Sequence, residues 1–424
     1  MLFTLEALKA KEGDCLLLHW GDPAAPKLAV IDGGPGNVYE DFLRPRLEDI
    51  RANRGLQQLP VELVMVSHID GDHIVGIKKL FARLKSEVED NDDKPLAVKR
   101  LWHNTFDDII GNALNAHYKT FTASFEAAAN GEPKPGTVDT VAKALKARAK
   151  LKPDEASHLA FDIGLILAGH ADGRKLRDDH RFLFQQGQVQ ALNKPFTKTL
   201  ITADLTPGAK PFAGLKITIV GPLQAEIDAL QADFDTFLKD RGLASGEAAL
   251  AAYADKSIPN LSSIVCLVEM QGKSILLTGD ARGDRILAGL RQAGRLGAAA
   301  SDSLHVDVLK APHHGSDRNV EAGFFKSITA DTYVFSGDGK HGNPERDTID
   351  WVIRSRGKND DYRLVFTYPI DVVDKKRKEE AKRWDAVKDS LRALIDARKA
   401  EGYRFVVQED APIAIDLGSS KLTF

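Results

Sequence analysis

The sequence predicts an α/β fold. Short apolar runs of strand length alternate with segments of helix spacing, and the polar residues gather in the loops that follow the strands. The densest polar run, Ser67–His73, directly follows the apolar run Leu63–Val66. That places it at a strand C-terminus, where open α/β sheets build their sites.

Taken in order, Leu2–Leu8 and Cys15–Trp20 are expected as strands on either side of a turn at Gly13-Asp14, and Lys27–Ile31 as a third that runs into Asp32-Gly33-Gly34. Helix spacing follows over Val38–Ala52, then the strand Leu63–Val66 and a helix over Ile74–Leu84. The acidic run Glu87–Asp93 is expected as a solvated connector, and Val98–His103 as a strand. Between 106 and 210 the pattern changes to helix-like stretches, Phe121–Ala129 and Val141–Leu151, around the turn-rich GEPKPG. This segment is expected to be a helical insertion or cap, between an N-terminal half of the core (1–105) and a C-terminal half (211–424). Strands resume at Leu215–Val220, with a helix expected over 223–252. A hairpin of Ser263–Glu269 and Ser274–Thr278 turns at Gln271-Gly272. Val306–Leu309 and Thr332–Phe335 follow. A charged helix is expected over 375–396, and Phe405–Val407 and Ile413–Leu417 are expected to close the sheet.

The chain has 424 residues, 43% of them hydrophobic and 28% charged, which are globular proportions that exclude wholesale disorder. Its formal charge of −3 argues against a protein that grips nucleic acid through a global positive field, though not against a local basic groove. Two cysteines, Cys15 and Cys266, cannot make a disulfide framework or a cysteine-rich metal site, and both are expected as buried thiols. Charge appears too early at the N-terminus for a secretory leader, and no apolar run approaches the ~20 residues of a membrane span. A soluble, cytoplasmic protein without membrane contact is therefore expected; protein partners and oligomeric state are not encoded legibly.

Chemistry concentrates in Ser67-His68-Ile69-Asp70-Gly71-Asp72-His73. Asp70 and Asp72 repel unless a cation lies between them. Imidazole and carboxylate together suit Zn, Mn or Fe, whereas a Ca site would have no use for the histidines. Asp280 in LLTGD, His313 in LKAPHHGS and Asp32 in AVIDGG each follow a strand and join this set.

The strings EGDCLLLHW, AVIDGG, SHIDGDHIVG, LLTGD, VDVLKAPHHGSD and FSGDGKHGNP, spread over residues 12–344, resemble the metallo-β-lactamase superfamily. Most closely they are similar to the metallohydrolase domain of competence-type (ComEC-like) DNA-uptake proteins. The resemblance implies a four-layer αββα sandwich carrying two divalent transition-metal ions, Zn or Mn, at one edge. It implies His68 and Asp70 on the first ion, Asp72 and His73 on the second with His313, Asp280 as the bridge, and Asp32 orienting a ligand from behind. Asp70 stands where the wider superfamily has a second His, and the usual middle His has no match; the strand near it ends in Gly221-Pro222, and His103 is a candidate substitute. Either member of His313-His314 can be the late ligand.

The activity so implied is hydrolysis by a metal-activated water, with Asp72, His314 and His341 as catalytic candidates and a small-molecule or nucleic-acid phosphodiester as substrate. Lys310, Ser316, Lys340 and Asn343 are substrate-side candidates. The same metals would also serve a lactone, lactam or thioester hydrolase, and a non-catalytic binding or signalling module could keep the fold. No phosphate-binding GxxxxGK[ST] string supports ATP-driven chemistry.

Overall fold

The computed structural model describes residues 1–105, 171–197, 200–205, 209–228, 262–299 and 301–423. Two sheets pack face to face. The first contains β1 (Leu2–Ala7), β2 (Leu16–Gly21), β3 (Lys27–Ile31), β5 (Leu63–Val66), β7 (Leu101–His103) and β16 (Ile413–Asp416), in the order β16-β1-β2-β3-β5-β7. The second runs β15 (Val406–Glu409), β14 (Arg363–Phe366), β13 (Ile328–Phe335), β12 (Leu304–Lys310), β11 (Lys273–Leu277), β10 (Val265–Met270), β9 (Leu215–Gly221), β8 (Lys210–Phe212). A separate small pair joins β4 (Leu59–Val61) to β6 (Leu96–Val98) in parallel.

Side-chain alternation along the strands makes the layers. In β5, Leu63 and Met65 enter the core between the sheets, while Val64 and Val66 face the helices outside. In β13, Val334 enters the same inter-sheet core and Tyr333 and Phe335 face outward. The outer face of the first sheet is covered by α1 (Arg44–Asn53) and α2 (Gly71–Glu89). That of the second is covered by α3 (Gly283–Gln292), α4 (Ala322–Ser327), α5 (Arg346–Ser355), α6 (Ile370–Glu380) and α7 (Leu391–Ala400). The order is helix, sheet, sheet, helix, an α/β architecture consistent with the αββα metallo-β-lactamase sandwich. Each fully buried Leu, Val or Phe contributes about 1.5–3 kcal/mol, and the two outer clusters and the inter-sheet cluster are each continuous.

Several expectations need correction. The helix over Val38–Ala52 opens with a π-turn at Tyr39–Leu43 before α1. The helix after the His/Asp run starts at Gly71, so Asp72 and His73 lie in its first turn. It extends to Glu89, so Glu87 is not in a solvated connector but is buried and bound by Arg83 at 2.7 Å. Val98–His103 is two strands, because Lys99 and Arg100 turn out to Glu62 at 2.9 and 2.6 Å. The charged helix over 375–396 is two helices. Between them Asp385 accepts from the backbone N–H groups of Val387 and Lys388, and Asp374 accepts from those of Leu391 and Arg392 at the start of α7. The closing strands divide: β15 edges the second sheet, while β16 returns to pair with β1. The hairpin turns at Gln271-Gly272 as expected, and both cysteines are buried and free.

The helical stretches expected at Phe121–Ala129 and Val141–Leu151, and most of that over 223–252, lie outside the described residues. Of the 106–210 segment, a helix over 171–185 is described; its Leu176 and Leu183 join the cluster around α2. Among the described residues no helix is long and apolar enough to cross a membrane.

Candidate metal centre

The strand ends of both sheets meet at one edge. Asp32 follows β3, Ser67 and His68 follow β5, Asp280 follows β11, His313 and His314 follow β12, and Ser336 follows β13. The loop between β1 and β2 adds Asp14. Backbone bonds join the loops: Ile264 N–H donates to Ser67 O at 2.8 Å across the two sheets, and His313 N–H to Gly279 O at 3.1 Å within the second. Asp32, His313 and His314 all adopt left-handed backbone (φ +57°, +47° and +55°). Non-glycine residues rarely do so, and strain of this kind concentrates at functional sites. Asp70 occupies the N-cap position of α2 yet makes no side-chain cap bond, which leaves its carboxylate to face the site.

Four imidazoles point their Nε2 atoms inward and anchor Nδ1 outward. His73 Nδ1 meets Asp32 Oδ2 at 2.9 Å, and Asp32 also accepts from Ser67 N–H and Oγ–H, both at 2.7 Å. His68 Nδ1 meets Ser67 Oγ at 3.1 Å, His313 Nδ1 meets Asn319 Oδ1 at 2.7 Å, and His314 Nδ1 meets Ser336 Oγ at 3.0 Å. An outward-anchored Nδ1 fixes the ring and leaves Nε2 as the lone-pair donor, as in metal-ligating histidines.

The inward atoms form two adjacent groups. In one, Asp280 Oδ1 lies 3.2 Å from His73 Nε2, and Asp280 Oδ2 lies 3.4 Å from His314 Nε2. Asp72 Oδ2 lies 3.2 Å from His314 Nε2 and 3.7 Å from His73 Nε2, and the two rings approach at 3.3 Å. In the other, His68 Nε2 lies 3.5 Å from Asp70 Oδ2 and 3.9 Å from Asp280 Oδ2, which is itself 3.5 Å from His313 Nε2. Ligands about 2.0–2.1 Å from a tetrahedral ion are about 3.3–3.4 Å apart, so the first group already has that spacing. His68 Nε2 and Asp280 Oδ1 are buried without a hydrogen bond among the described residues, as expected of atoms reserved for a cation. Proximity also gathers Asp14 with His73, Asp280 and His314, and His68 with Asp72 and His73, so the two groups adjoin through His73. The oxygens of Asp14 face the Nδ1 side of the rings, however, at 3.2 Å from His314 and 3.9 Å from His73.

The electrostatics agree. Burial alone would depress His73 and His314. The carboxylates of Asp280, Asp72 and Asp32 around the first, and of Asp280 and Asp14 around the second, outweigh it and hold both rings well above their ordinary pKa. Burial would raise Asp280, but the rings of His314, His73 and His313 hold it well below the carboxylate range. Protons on the rings or divalent cations can neutralise such a set, and cation uptake displaces the protons. The two groups can coordinate divalent transition-metal ions, Zn or Mn.

His68, Asp70, Asp72, His73, Asp280 and His313 thus converge, joined by His314, with Asp32 behind His73. His103 lies outside both groups. It is fully buried, with neither ring nitrogen bonded among the described residues, and it is depressed to about 3 by burial and by the charges of Arg177 and His180. Lys310 is buried against Asp14 at 2.7 Å rather than facing outward. Ser316 is buried and accepts from Arg318 N–H at 3.3 Å; Asn343 is buried in its turn. Lys340 pairs with Glu12 at 2.7 Å. His341 is exposed, and its N–H donates to Glu380 at 2.7 Å. The sequence reading overlooked Asp14, Ser336 and Asn319. For Asp14 a signal existed, a Gly-Asp pair at a strand boundary like Gly279-Asp280.

No family model and no curated protein matches the chain. Fold and site together define a metal-binding α/β protein consistent with the metallo-β-lactamase superfamily.

Proposed function

We propose that the protein is a metal-dependent hydrolase of phosphodiesters and a soluble relative of the ComEC-like metallohydrolase domain. The observation that carries this is Asp280, a single buried carboxylate within reach of four inward imidazoles, His73 at Oδ1 and His314, His313 and His68 at Oδ2. Divalent ions bound there would supply Lewis acidity and lower the pKa of water.

The residues divide the work. Asp72, His73 and His314 would hold one ion, His68, Asp70 and His313 the other, and Asp280 both. His313 would then take the place of the imidazole that the sequence lacks in its middle third. Asp70, Asp72 and His313 are partly exposed, with side chains 31%, 25% and 27% accessible, whereas His68, His73, Asp280 and His314 are closed off. Substrate would enter over those three. Cations bound beneath that opening would attract an anionic phosphodiester more strongly than a neutral lactone or lactam. With His314 and Asp72 among the ligands, His341 is the candidate to protonate the leaving oxygen.

The test is a panel of linear DNA, RNA, dinucleotides, cyclic dinucleotides, a lactone and a thioester, each with added Zn or Mn. Metal-stimulated turnover of a phosphodiester is expected. Turnover of only the lactone or thioester would replace this reading with carbonyl hydrolysis, and turnover of none would favour a binding module. His341→Ala should slow a dinucleotide by about 10²–10⁴ while sparing an activated nitrophenyl diester; equal losses would remove His341 as the acid.

A further inference from the structure

A second buried charge system stands behind the metal centre. Asp14 and Lys310 are each 1% exposed and meet at 2.7 Å, and Lys310 also donates to Ala311 O at 2.9 Å. Asp14 Oδ1 accepts from Ser336 Oγ–H and lies 3.2 Å from His314 Nδ1, which is 3.0 Å from Ser336 Oγ. The same device occurs on the other ring of this group, where Asp32 and Ser67 grip His73 Nδ1. The Asp32 device is built wholly from loops of the first sheet, whereas the other joins Asp14 of that sheet to Ser336 and Lys310 of the second, and they differ in one further respect. Asp32 is held by the backbone and hydroxyl of Ser67, whereas Asp14 is held by a buried ammonium.

A cation buried beside a site for cations is electrostatically adverse unless it compensates something. Here it compensates Asp14. The loop is also fixed sterically: a Cβ on Gly13 would fall 1.8 Å from the carbonyl oxygen of Asp72, so the Asp14 turn packs directly on the HxDxDH loop.

We propose that Asp14, together with Ser336 and clamped by Lys310, is a positioning residue that holds His314 as the Nδ1–H tautomer with Nε2 directed at the ion. Asp14 acts through the ring and is not itself a ligand: its oxygens lie on the Nδ1 side, and Lys310 and Ser336 hold them there. The inference rests on the metal-centre reading above. It adds a carboxylate–serine–lysine relay for His314, matched to the carboxylate–serine pair of His73.

The test uses the full chain stripped of metal and titrated with Zn²⁺ by calorimetry, with stoichiometry from native mass spectrometry. The variant is the double substitution Asp14→Asn/Lys310→Met, which removes both buried charges together and so strands neither. Wild type should take up two ions. The double variant should keep its thermal unfolding transition and lose about 10–100-fold in affinity at one step only. Unchanged affinity at both steps would overturn the proposal, and failure of the wild type to bind would overturn the metal-centre reading itself. A second readout does not depend on the double variant. In long-range ¹H–¹⁵N spectra of zinc-loaded wild type, His314, assigned by its loss in His314→Gln, should show a protonated Nδ1 and a metal-bound Nε2. The opposite tautomer would overturn the proposal.

Discussion

His313 and His314 are sequence neighbours, both in left-handed backbone, whose rings stand 77° apart; both Nε2 atoms approach Asp280 Oδ2, at 3.5 and 3.4 Å, and His314 Nε2 also lies 3.2 Å from Asp72 Oδ2. Each should therefore serve a different ion. His313→Ala and His314→Ala are expected to weaken one uptake step apiece, by more than the roughly 10–100-fold that loss of an outer partner causes, and calorimetric titration should show different steps affected. Loss of the same step in both would contradict the split. His103 makes a separate prediction. Its pKa is depressed to about 3 from 6.5, so the unfolded chain binds a proton that the folded chain refuses. The resulting stability is complete above pH 6.5 and lost as pH falls toward 3, about 2 kcal/mol of it by pH 5. Urea unfolding from pH 7.5 to 5 should show a shallower loss for His103→Phe than for wild type; parallel curves would contradict this. The inward ligands were legible in the sequence because His68–His73 lie within six residues. Asp14 carried only its Gly-Asp signal, and its place behind His314 was not legible, because its partner Ser336 is 322 residues away and only the meeting of two sheets brings them together.

Among the elements, α2 links the site to the core. Its first turn carries Asp72 and His73, and two turns of it cross the Asp32 loop backbone to backbone. Gly76 N–H donates to Gly34 O at 3.0 Å, and a Cβ on Gly76 would sit 2.0 Å from Gly33 O. Helix propensity alone favours Gly76→Ala by about 1 kcal/mol, but such overlap with rigid backbone costs about 1–3 kcal/mol or more. The variant should melt lower than wild type and bind metal more weakly, since Asp32 must move; a raised melting temperature with unchanged binding would contradict the packing. Helix existence was legible from periodicity, while boundaries were set by capping and tertiary contact. α2 begins three residues before its apolar pattern because the carbonyl of its N-cap, Asp70, accepts from the N–H groups of His73 and Ile74 at 2.9 and 3.0 Å. The charged run over 375–396 breaks because Asp374 and Asp385 hydrogen-bond backbone N–H groups in the connection, which charge periodicity does not reveal.

For the whole molecule, two half-sandwiches each contribute an incomplete set of donors: His68, Asp70, Asp72 and His73 from the first sheet's edge, Asp280, His313 and His314 from the second's. The return of β16 to β1 ties the C-terminal segment into the N-terminal sheet. The sandwich could be anticipated from the resemblance, whereas the splitting of the closing strands between the sheets depends on pairing that no local pattern encodes. Asp280 is the one carboxylate proposed to serve two ions. Native mass spectrometry of the chain reconstituted with Zn²⁺ or Mn²⁺ tests that role, with wild type, Asp280→Ala and His341→Ala compared. Two ions are expected on wild type and on His341→Ala, and loss of both together from a folded Asp280→Ala; Asp280→Ala retaining two ions with wild-type affinity would rule out the bridge.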